Sequence, residues 1–348
     1  MAHSTVDVVI AGAGLAGASA ALWLSETLQV TLVTGTNPAT SSIAAGLVNP
    51  FAGLRMGGRL NSETVCDDLI ETLKRANALS TYNPSGILRP AYDQRQTLQF
   101  KSQSKINPQH IKWLSPDQIK RDHSYISAPH GAAITTGGIL ATPDMLNCIL
   151  TTIRKSHRVI HANVVAWKDR NSYVSVALDS GEVLNTKRLI LALGAGYTSF
   201  PELLRLNLHK IKGQLVYVPV PEHVIVSLPI SGYGYIVPEH ERLILGTSYD
   251  HSPDNDNPTP EATNQILTLT KKMIPWLNSS TILGVSAGIR VGVPGTRSPM
   301  VGPLTSNIWI ITGLGSKGIL LASYIARNLH SWMYDNAEVP HNFRVRNN

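Results

Sequence analysis

The sequence predicts a mixed α/β (α+β) protein that combines a Rossmann-like βαβ unit with a second, antiparallel β-sheet. The βαβ unit is predicted at the start of the chain, where an apolar β-branched run at 6–11 precedes glycines, an Ala- and Leu-rich helix at 18–28 and a second apolar run at 30–33. The antiparallel sheet is predicted from strand-like runs at 214–219, 234–238 and 242–247.

The remaining elements are predicted from periodicity and turn residues. Helical patterns cover 66–79, 145–153 and 263–273, and Ser115 is a plausible N-cap for a short helix. The segment 84–101 is interpreted as strand and turn, and 159–165 as one strand. Buried strands at 188–193 and 308–312 each run into a glycine-containing turn, and the second turn leads into a helix that ends near residue 333.

Composition narrows the class of protein. A chain of 348 residues predicts two domains, and its formal charge of +7 favours anionic ligands only mildly because no basic tract is present. The two cysteines, Cys66 and Cys148, cannot form a disulfide framework or a zinc motif, so no metal is predicted and a reducing compartment is expected. We expect a cytoplasmic protein without signal peptide or membrane span.

The strongest motif is the glycine-rich turn Gly12-Ala13-Gly14-Leu15-Ala16-Gly17. In a strand–turn–helix setting, Gly12 permits the tight turn, Gly14 lets a pyrophosphate approach, and Gly17 lets the helix pack on the sheet. The pattern predicts a dinucleotide site. The acid that usually binds the ribose at the end of the second strand is absent, since Thr34 and Gly35 stand there. A hydrogen bond from Thr34 is then the expected substitute.

Four further segments resemble the glycine oxidase/D-amino-acid oxidase-like (DAO family) FAD-dependent oxidoreductases over nearly the whole chain. They are the small-residue loop at 40–47, the turn at 191–196, the block at 287–290 with 299–302, and the turn at 313–322. The resemblance implies non-covalent FAD. Besides residues 12–17, it implies these cofactor contacts: Thr34, Ser41, Ser42, Ala44, Ala45, Gly46, Leu47, Val164, Gly194, Gly196, Arg290, Gly315, Ser316, Lys317, Gly318 and Ile319.

The resemblance also implies a substrate site. Arg290 would grip a substrate carboxylate with its planar guanidinium, although a structural salt bridge is the alternative. Tyr235 and Tyr249 would line the pocket, or serve as packing aromatics. The N-terminus of the last helix, at Gly315–Ile319, would face the flavin pyrimidine edge. Roles for Asn49, Arg55, Arg59 and Arg297 stay unassigned.

Nucleotide motifs recur at the start, middle and end of the chain. This recurrence predicts a discontinuous FAD-binding domain from 1–75, 136–205 and 285–348, with a substrate-binding domain from 76–135 and 206–284.

The resemblance implies oxidation of the C–N bond of a small amine or amino acid by hydride transfer to flavin N5, with oxygen as acceptor. Two alternatives stay open: a tRNA wobble-uridine carboxymethylaminomethyl FAD oxidoreductase, and a non-catalytic flavin-binding scaffold. Nucleic acid is the less favoured partner. The sequence leaves the amine and the oligomeric state open.

Overall fold

The computed structural model describes residues 5–36, 39–54, 56, 62–222, 224–277 and 281–345. The helices in these ranges are α1 (Leu15–Leu24), α2 (Ser62–Arg75), α3 (Gln94–Ile106), α4 (Pro116–Asp122), α5 (Thr142–Ile153), α6 (Pro201–Leu204), α7 (Pro260–Lys271) and α8 (Gly318–Tyr334). The strands are β1 (Val6–Ala11), β2 (Val30–Val33), β3 (Leu47–Val48), β4 (Tyr82–Asn83), β5 (Ile87–Pro90), β6 (Ile111–Leu114), β7 (Ala132–Thr135), β8 (Gly138–Leu140), β9 (Arg158–Ile160), β10 (Val164–Asp169), β11 (Val174–Leu178), β12 (Val183–Leu191), β13 (His209–Pro219), β14 (Ile230–Ser231), β15 (Tyr235–Glu239), β16 (Arg242–Gly246), β17 (Gly284–Gly292), β18 (Met300–Pro303) and β19 (Ile308–Thr312).

The first sheet has a parallel centre. Its strands run in the order β10-β11-β12-β1-β2-β9, and β19 pairs with β12 and carries β18 at its other edge. β1 pairs in parallel with both β12 and β2, and its apolar residues are buried on both faces of the sheet, Val8 and Ile10 on one and Val9 and Ala11 on the other. Helices α1, α2, α5 and α8 pack over one face, where they share a continuous apolar core with β1 and β2. This sheet confirms the predicted Rossmann-like unit.

The second sheet is largely antiparallel, in the order β17-β13-β16-β15-β14-β5-β7-β6. One face of its centre, with Val216, Leu243 and Leu245, packs on residues of α7 such as Ile266. The opposite face, with Leu215, Val237 and Ile244, packs against Ala45 in the loop after β2. A small third sheet, β3-β8-β4, joins the two larger ones.

A buried arginine on β5 anchors the second sheet to the loop that follows β3. The side chain of Arg89, on β5, is 7% exposed, and its guanidinium donates to the backbone carbonyls of Phe51 and Gly53. Burial lowers the pKa of Arg89 to about 10. No carboxylate pairs with Arg89 within the described ranges. Within those ranges, its positive charge is stabilised by carbonyl dipoles of the loop at 51–53 and by the ring of Phe100, whose centroid is 5.1 Å from Cζ.

Several local predictions are confirmed. The bounds of β1, β2 and β19 are as predicted, and Ser115 caps α4 through a reciprocal pair of hydrogen bonds with Gln118. The interpretation of 84–101 as strand and turn is wrong after residue 93, because α3 begins at Gln94 behind an Asp93 N-cap. The single strand expected at 159–165 is two strands, β9 and β10, which are separated by residues 161–163.

The expected domain boundary at residue 285 falls at the start of a strand of the second sheet. β17 pairs with β13 from Gly284 to Gly292, so this strand belongs to the second sheet rather than to the first. The division into two domains, with its boundary at residue 285, stays a prediction. No helix in the described part of the chain is long and apolar enough to cross a bilayer.

Candidate active site

The glycine-rich turn lies at the carboxyl end of β1, against the turn that follows β12. Gly12 has a φ of +103°, and a Cβ there would lie 2.4 Å from the carbonyl oxygen of Ala192. A Cβ at Gly17 would lie 1.8 Å from the carbonyl oxygen of Gly12. Both positions therefore require glycine, one for backbone conformation and one for close packing of α1. The predicted turns at 12–17 and 191–196 are brought together.

The N-terminus of α1 opens toward the loop after β2. Gly14 is the N-cap residue and supplies no side chain, and the N–H of Leu15 donates to Oγ of Ser41 at 3.1 Å. Ser41 and Ser42 belong to a 3-10 turn at Thr40–Ile43, and Ser42 bonds within that turn to the carbonyl of Ala39. The Ser41 hydroxyl is thus held at the positive end of a helix, where a phosphate is stabilised.

The last glycine turn joins the same region. A Cβ at Gly318 would lie 3.5 Å from Cδ1 of Leu15, so the start of α8 faces the start of α1. Leu314, in the same turn, forms a backbone bridge with Gly292 at the end of β17. Gly315, Ser316 and Lys317 form a 3-10 turn that leads into α8 at Gly318 and Ile319. Three predicted segments from the start, middle and end of the chain therefore converge.

The small-residue loop bridges the two large sheets. Thr40 Oγ1 donates to the carbonyl of Ile289 at 2.9 Å, and a Cβ at Gly288 would lie 2.5 Å from Cδ1 of Ile43. Beyond this turn, Ala44 leads to Ala45 and Leu47, which pack on the second sheet beside Tyr235. Gly46, between them, has a φ of +74° and pairs with Leu140. The loop thus lies between the first helix and the face of β17 that carries Arg290.

One face of the second sheet carries the predicted substrate residues. Side chains alternate along strands, so Ser286, Gly288 and Arg290 of β17 share a face. The register places Gly288 opposite Gly213 and Ser286 opposite Leu215. Tyr235 on β15 is opposite Gly246 on β16 and shares this face. We call this face the glycine face, after Gly213, Gly246 and Gly288, whose lack of a side chain makes room for the Arg290 guanidinium, the Tyr235 ring and Ile43, respectively.

The guanidinium of Arg290 lies over Gly213 on the glycine face. A Cβ at Gly213 would be 1.7 Å from its Nη2, and Nη2 donates to Oγ1 of Thr247 at 3.2 Å and to the carbonyl of Ser248 at 3.3 Å. The ring of Tyr249 is 5.1 Å from Cζ. In the part of the chain that the structure describes, no carboxylate pairs with Arg290. This favours the anion-binding role over a structural salt bridge.

The two predicted tyrosines occupy different positions. Tyr235 is largely buried, and burial raises the pKa of its hydroxyl to about 12, although the nearby Arg290 and a hydrogen bond with Thr247 both oppose the shift. Tyr235 therefore stays a neutral hydrogen-bonding group at neutral pH. Tyr249 is 58% exposed and stands at the rim of the site. Thr247 lies between Arg290 and Tyr235 and links them.

Sequence reasoning missed several residues of this site. Gly213, Thr247 and Ser248 became visible only through strand pairing, as did the hydrogen bond of 2.8 Å between the hydroxyls of Tyr217 and Ser286. The residue type of Gly213, a glycine inside a strand, was the available signal. Among the unassigned residues, Asn49 donates to Ser231 at 3.4 Å and Arg297 is exposed. Arg55 and Arg59 lie outside the described residues.

The adenosine end of the predicted cofactor site lies beyond β2. Thr34 follows β2 directly, and Val164 begins β10 with an irregular register toward β11. The Val164 side chain is buried, so only its backbone is available for the predicted adenine contact. No group of three or more His, Cys, Asp or Glu side chains suited to a metal is found in the described ranges.

Comparison with known proteins agrees with this geometry. The sequence profile of the family described as "DAO: FAD dependent oxidoreductase" matches residues 7–332. The tRNA 5-methylaminomethyl-2-thiouridine biosynthesis bifunctional protein MnmC of Polaromonas sp. strain JS666 is 26% identical over 365 positions, which cover 93% of this chain and 56% of that protein. The glycine oxidase of Pseudomonas aeruginosa is 27% identical over 176 positions, which cover 49% of this chain and 48% of that protein.

The fold is shared with solved oxidases. Glycine oxidase from Geobacillus kaustophilus superposes with a TM-score of 0.85 at 16% identity, over 99% of both chains. The present chain spans about half the length of the bifunctional relatives that it matches. Because the family profile covers nearly the whole chain and the turns of a dinucleotide site converge beside Arg290, the chain belongs to the DAO family of FAD-dependent oxidoreductases.

Proposed function

We propose that this flavoenzyme oxidises the C–N bond of a small amine or amino acid that carries a carboxylate. The observation that carries the proposal is the Arg290 guanidinium, which lies over the glycine face and has no carboxylate partner in the described ranges. Its planar donors suit a two-pronged grip on a carboxylate. The glycine oxidases and the iminodiacetate oxidase among the neighbouring structures act on substrates of this kind by name.

The residues present fit FAD. The glycine cradle at Gly12 and Gly17 excludes side chains from the turn, and the α1 N-terminus presents backbone N–H groups together with the Ser41 hydroxyl. We assign the pyrophosphate to this cradle and the adenine to the backbone at Val164. The turn at Gly315–Ile319 would face the flavin ring. When bound, the flavin supplies the hydride acceptor for the substrate carbon.

The residues of this chain then orient the substrate. Arg290 would hold the carboxylate, and the neutral hydroxyl of Tyr235, linked to Arg290 through Thr247, would add a hydrogen bond. Ala45, Leu47 and Leu215 form an apolar wall that limits the access of water. A carboxylate fixed at one end leaves the α-carbon with few orientations, and this restriction is the main contribution we assign to the protein.

The proposal is tested with the purified, yellow protein and a panel of amino acids and N-methyl amines, without oxygen. Bleaching of the flavin absorbance by carboxylate-bearing amines, and by none of their decarboxylated counterparts, is the expected result. Bleaching that does not depend on the carboxylate, or no bleaching by any amine, would contradict it. Readmitting oxygen and measuring hydrogen peroxide decides between oxidase and dehydrogenase.

A second candidate function is oxidation of a carboxymethylaminomethyl group on a wobble uridine of tRNA. The match to the bifunctional tRNA-modifying relatives over 93% of the chain favours it, and Arg290 could grip the carboxylate of that group too. Under this alternative, unmodified tRNA should compete for the site, and its binding should weaken steeply with salt. Flavin bleaching by tRNA that carries the group, and by no free amino acid, would replace the first proposal.

A further inference from the structure

The end of β2 lacks the expected acid, yet the structure brings polar side chains from a distant segment to this point. β2 and β9 pair in parallel up to Val33 and Ile160. The residues that follow them, Thr34 and His161, are therefore adjacent, and their side chains lie on the same face. Oγ1 of Thr34 lies 3.2 Å from Nδ1 of His161. Thr34 is partly exposed and His161 is exposed, so a ligand can reach both.

A second polar group holds this pair in place. The side-chain oxygen of Asn163 accepts from the N–H of Thr36 at 3.1 Å, and its amide donates to Thr36 Oγ1 and to the Asp179 carboxylate, each at 2.7 Å. The N–H groups of Thr34 and Gly35 also donate to the carbonyls of Ile160, the last residue of β9, and of Ala162, at 2.9 and 3.0 Å. The two chain segments at the ends of β2 and β9 are thus fixed to each other by side-chain and backbone hydrogen bonds.

We propose that Thr34 and His161 together bind the ribose hydroxyls of the FAD adenosine, in place of the missing carboxylate, and that Asn163 and Asp179 are positioning residues for them. The pyrophosphate cradle follows β1, and β1 and β2 are neighbours. The ribose of a dinucleotide bound there is therefore expected at the end of β2.

The chemistry of the pair suits a diol. The Thr34 hydroxyl has the Gly35 carbonyl as an acceptor at 3.0 Å, and when it donates there it accepts from the Nδ1–H of His161. In that tautomer Nε2 of His161 is an acceptor. The pair then offers a second lone pair on Thr34 Oγ1 and the Nε2 lone pair. These two acceptors can replace the two carboxylate oxygens as hydrogen-bond partners of the ribose hydroxyls.

The test measures cofactor affinity and does not depend on which amine is oxidised. FAD is removed and titrated back while its fluorescence is followed. Thr34→Val and His161→Ala should each weaken FAD binding by about three- to tenfold, the loss expected for a hydrogen bond. Thr34→Glu, added to His161→Ala, should restore the affinity because it returns the acid. His130→Ala, which removes an exposed histidine elsewhere, should change nothing.

A nucleotide pair separates direct contact from a structural effect. ADP should compete with FAD for the wild-type protein several-fold better than 2′,3′-dideoxy-ADP, and His161→Ala should reduce this preference. Equal competition by the two nucleotides in the wild-type protein would overturn the proposal. It would also be overturned if both variants bound FAD as the wild type does, or if His161→Ala weakened both nucleotides equally.

Discussion

The Arg290 guanidinium occupies the space that a side chain at Gly213 would fill, since a Cβ there would lie 1.7 Å from Nη2. The two residues are on adjacent strands, where Arg290 is paired with Ile211 and Gly213 with Gly288. The guanidinium thus packs directly on the backbone of Gly213. A single methyl group at position 213 would therefore change the orientation of Arg290, the proposed carboxylate anchor.

Gly213→Ala should displace the Arg290 guanidinium without removing its charge. Because misplacement of a binding group by about 1 Å can reduce the rate on the order of 100-fold, we expect a loss of that size in kcat/KM for carboxylate-bearing substrates. Gly284→Ala is the matched control on the paired strand, where a Cβ would meet only Tyr217 at 3.8 Å. Equal activity of the two variants would show that the position of the guanidinium does not matter.

Arg290→Ala should leave the protein folded and yellow but reduce kcat/KM by about 30-fold to several-thousand-fold, the range for losing a hydrogen-bonded charge pair. Arg290→Lys should recover little, because an ammonium cannot reproduce the planar grip. Steady-state kinetics with an amine that lacks the carboxylate provide the comparison. An equal loss on both substrates, with the flavin site intact, would rule out the carboxylate role.

Tyr235→Phe should lower kcat/KM by about two- to tenfold, the effect of one hydrogen bond, and by the same factor at every pH from 7 to 10. The factor is constant because the pKa of Tyr235 is raised to about 12 by burial, so the hydroxyl keeps its proton over this range. A ratio of wild type to variant that falls between pH 8 and 10 would show that the tyrosine titrates earlier.

The same pKa shift predicts a change in stability at high pH. The folded-state pKa of Tyr235 is above the ordinary tyrosine value of 10.0, so its contribution to stability is complete below pH 10 and is lost as pH rises toward 12. The free energy of unfolding should therefore fall more steeply in the wild type than in Tyr235→Phe over that interval. Urea denaturation at fixed pH values measures this difference, and parallel curves for the two proteins would count against it.

Much of the first sheet follows from the sequence because its strands are short, apolar on both faces and ended by glycine. β1, β2 and β19 have these properties, and their bounds were predicted to the residue. Helix α3 was missed because it is polar nearly all round and buries only Phe100. The spacing of Asp93 and Gln96 was a signal for the start of α3, since the Asp93 side chain accepts from the Gln96 N–H at 2.7 Å.

Only some features of the candidate site can be predicted from the sequence. Glycine turns and a lone arginine are visible locally, whereas contacts between distant segments are not. The bond from Arg290 to Thr247 depends on how β16 and β17 flank β13, and the approach of His161 to Thr34 depends on the pairing of β2 with β9. Neither can be inferred from spacing along one sequence, because register is fixed by the packed sheet.

Arg89→Ala should lower the free energy of unfolding by about 2–4 kcal/mol. The substitution removes both donors from the carbonyls of Phe51 and Gly53 and leaves a cavity under the loop. Arg95→Ala, an exposed arginine on α3, is the control and should change stability by less than about 0.5 kcal/mol. Chemical denaturation of both variants makes the comparison, and similar stabilities would contradict the anchoring role of Arg89.

The pairing of β1 with β12 and of β12 with β19 has a consequence for how the chain folds as it is synthesised. β1 pairs across about half of the sequence, from Val6 to Thr186, and β12 gains its other parallel neighbour only when β19 has been synthesised. Until β12 is made, one edge of β1 presents unpaired backbone groups to other chains, and until β19 is made, one edge of β12 does so. Because closing such long loops is slow, these edges stay open to pairing with other chains while the intervening residues are synthesised.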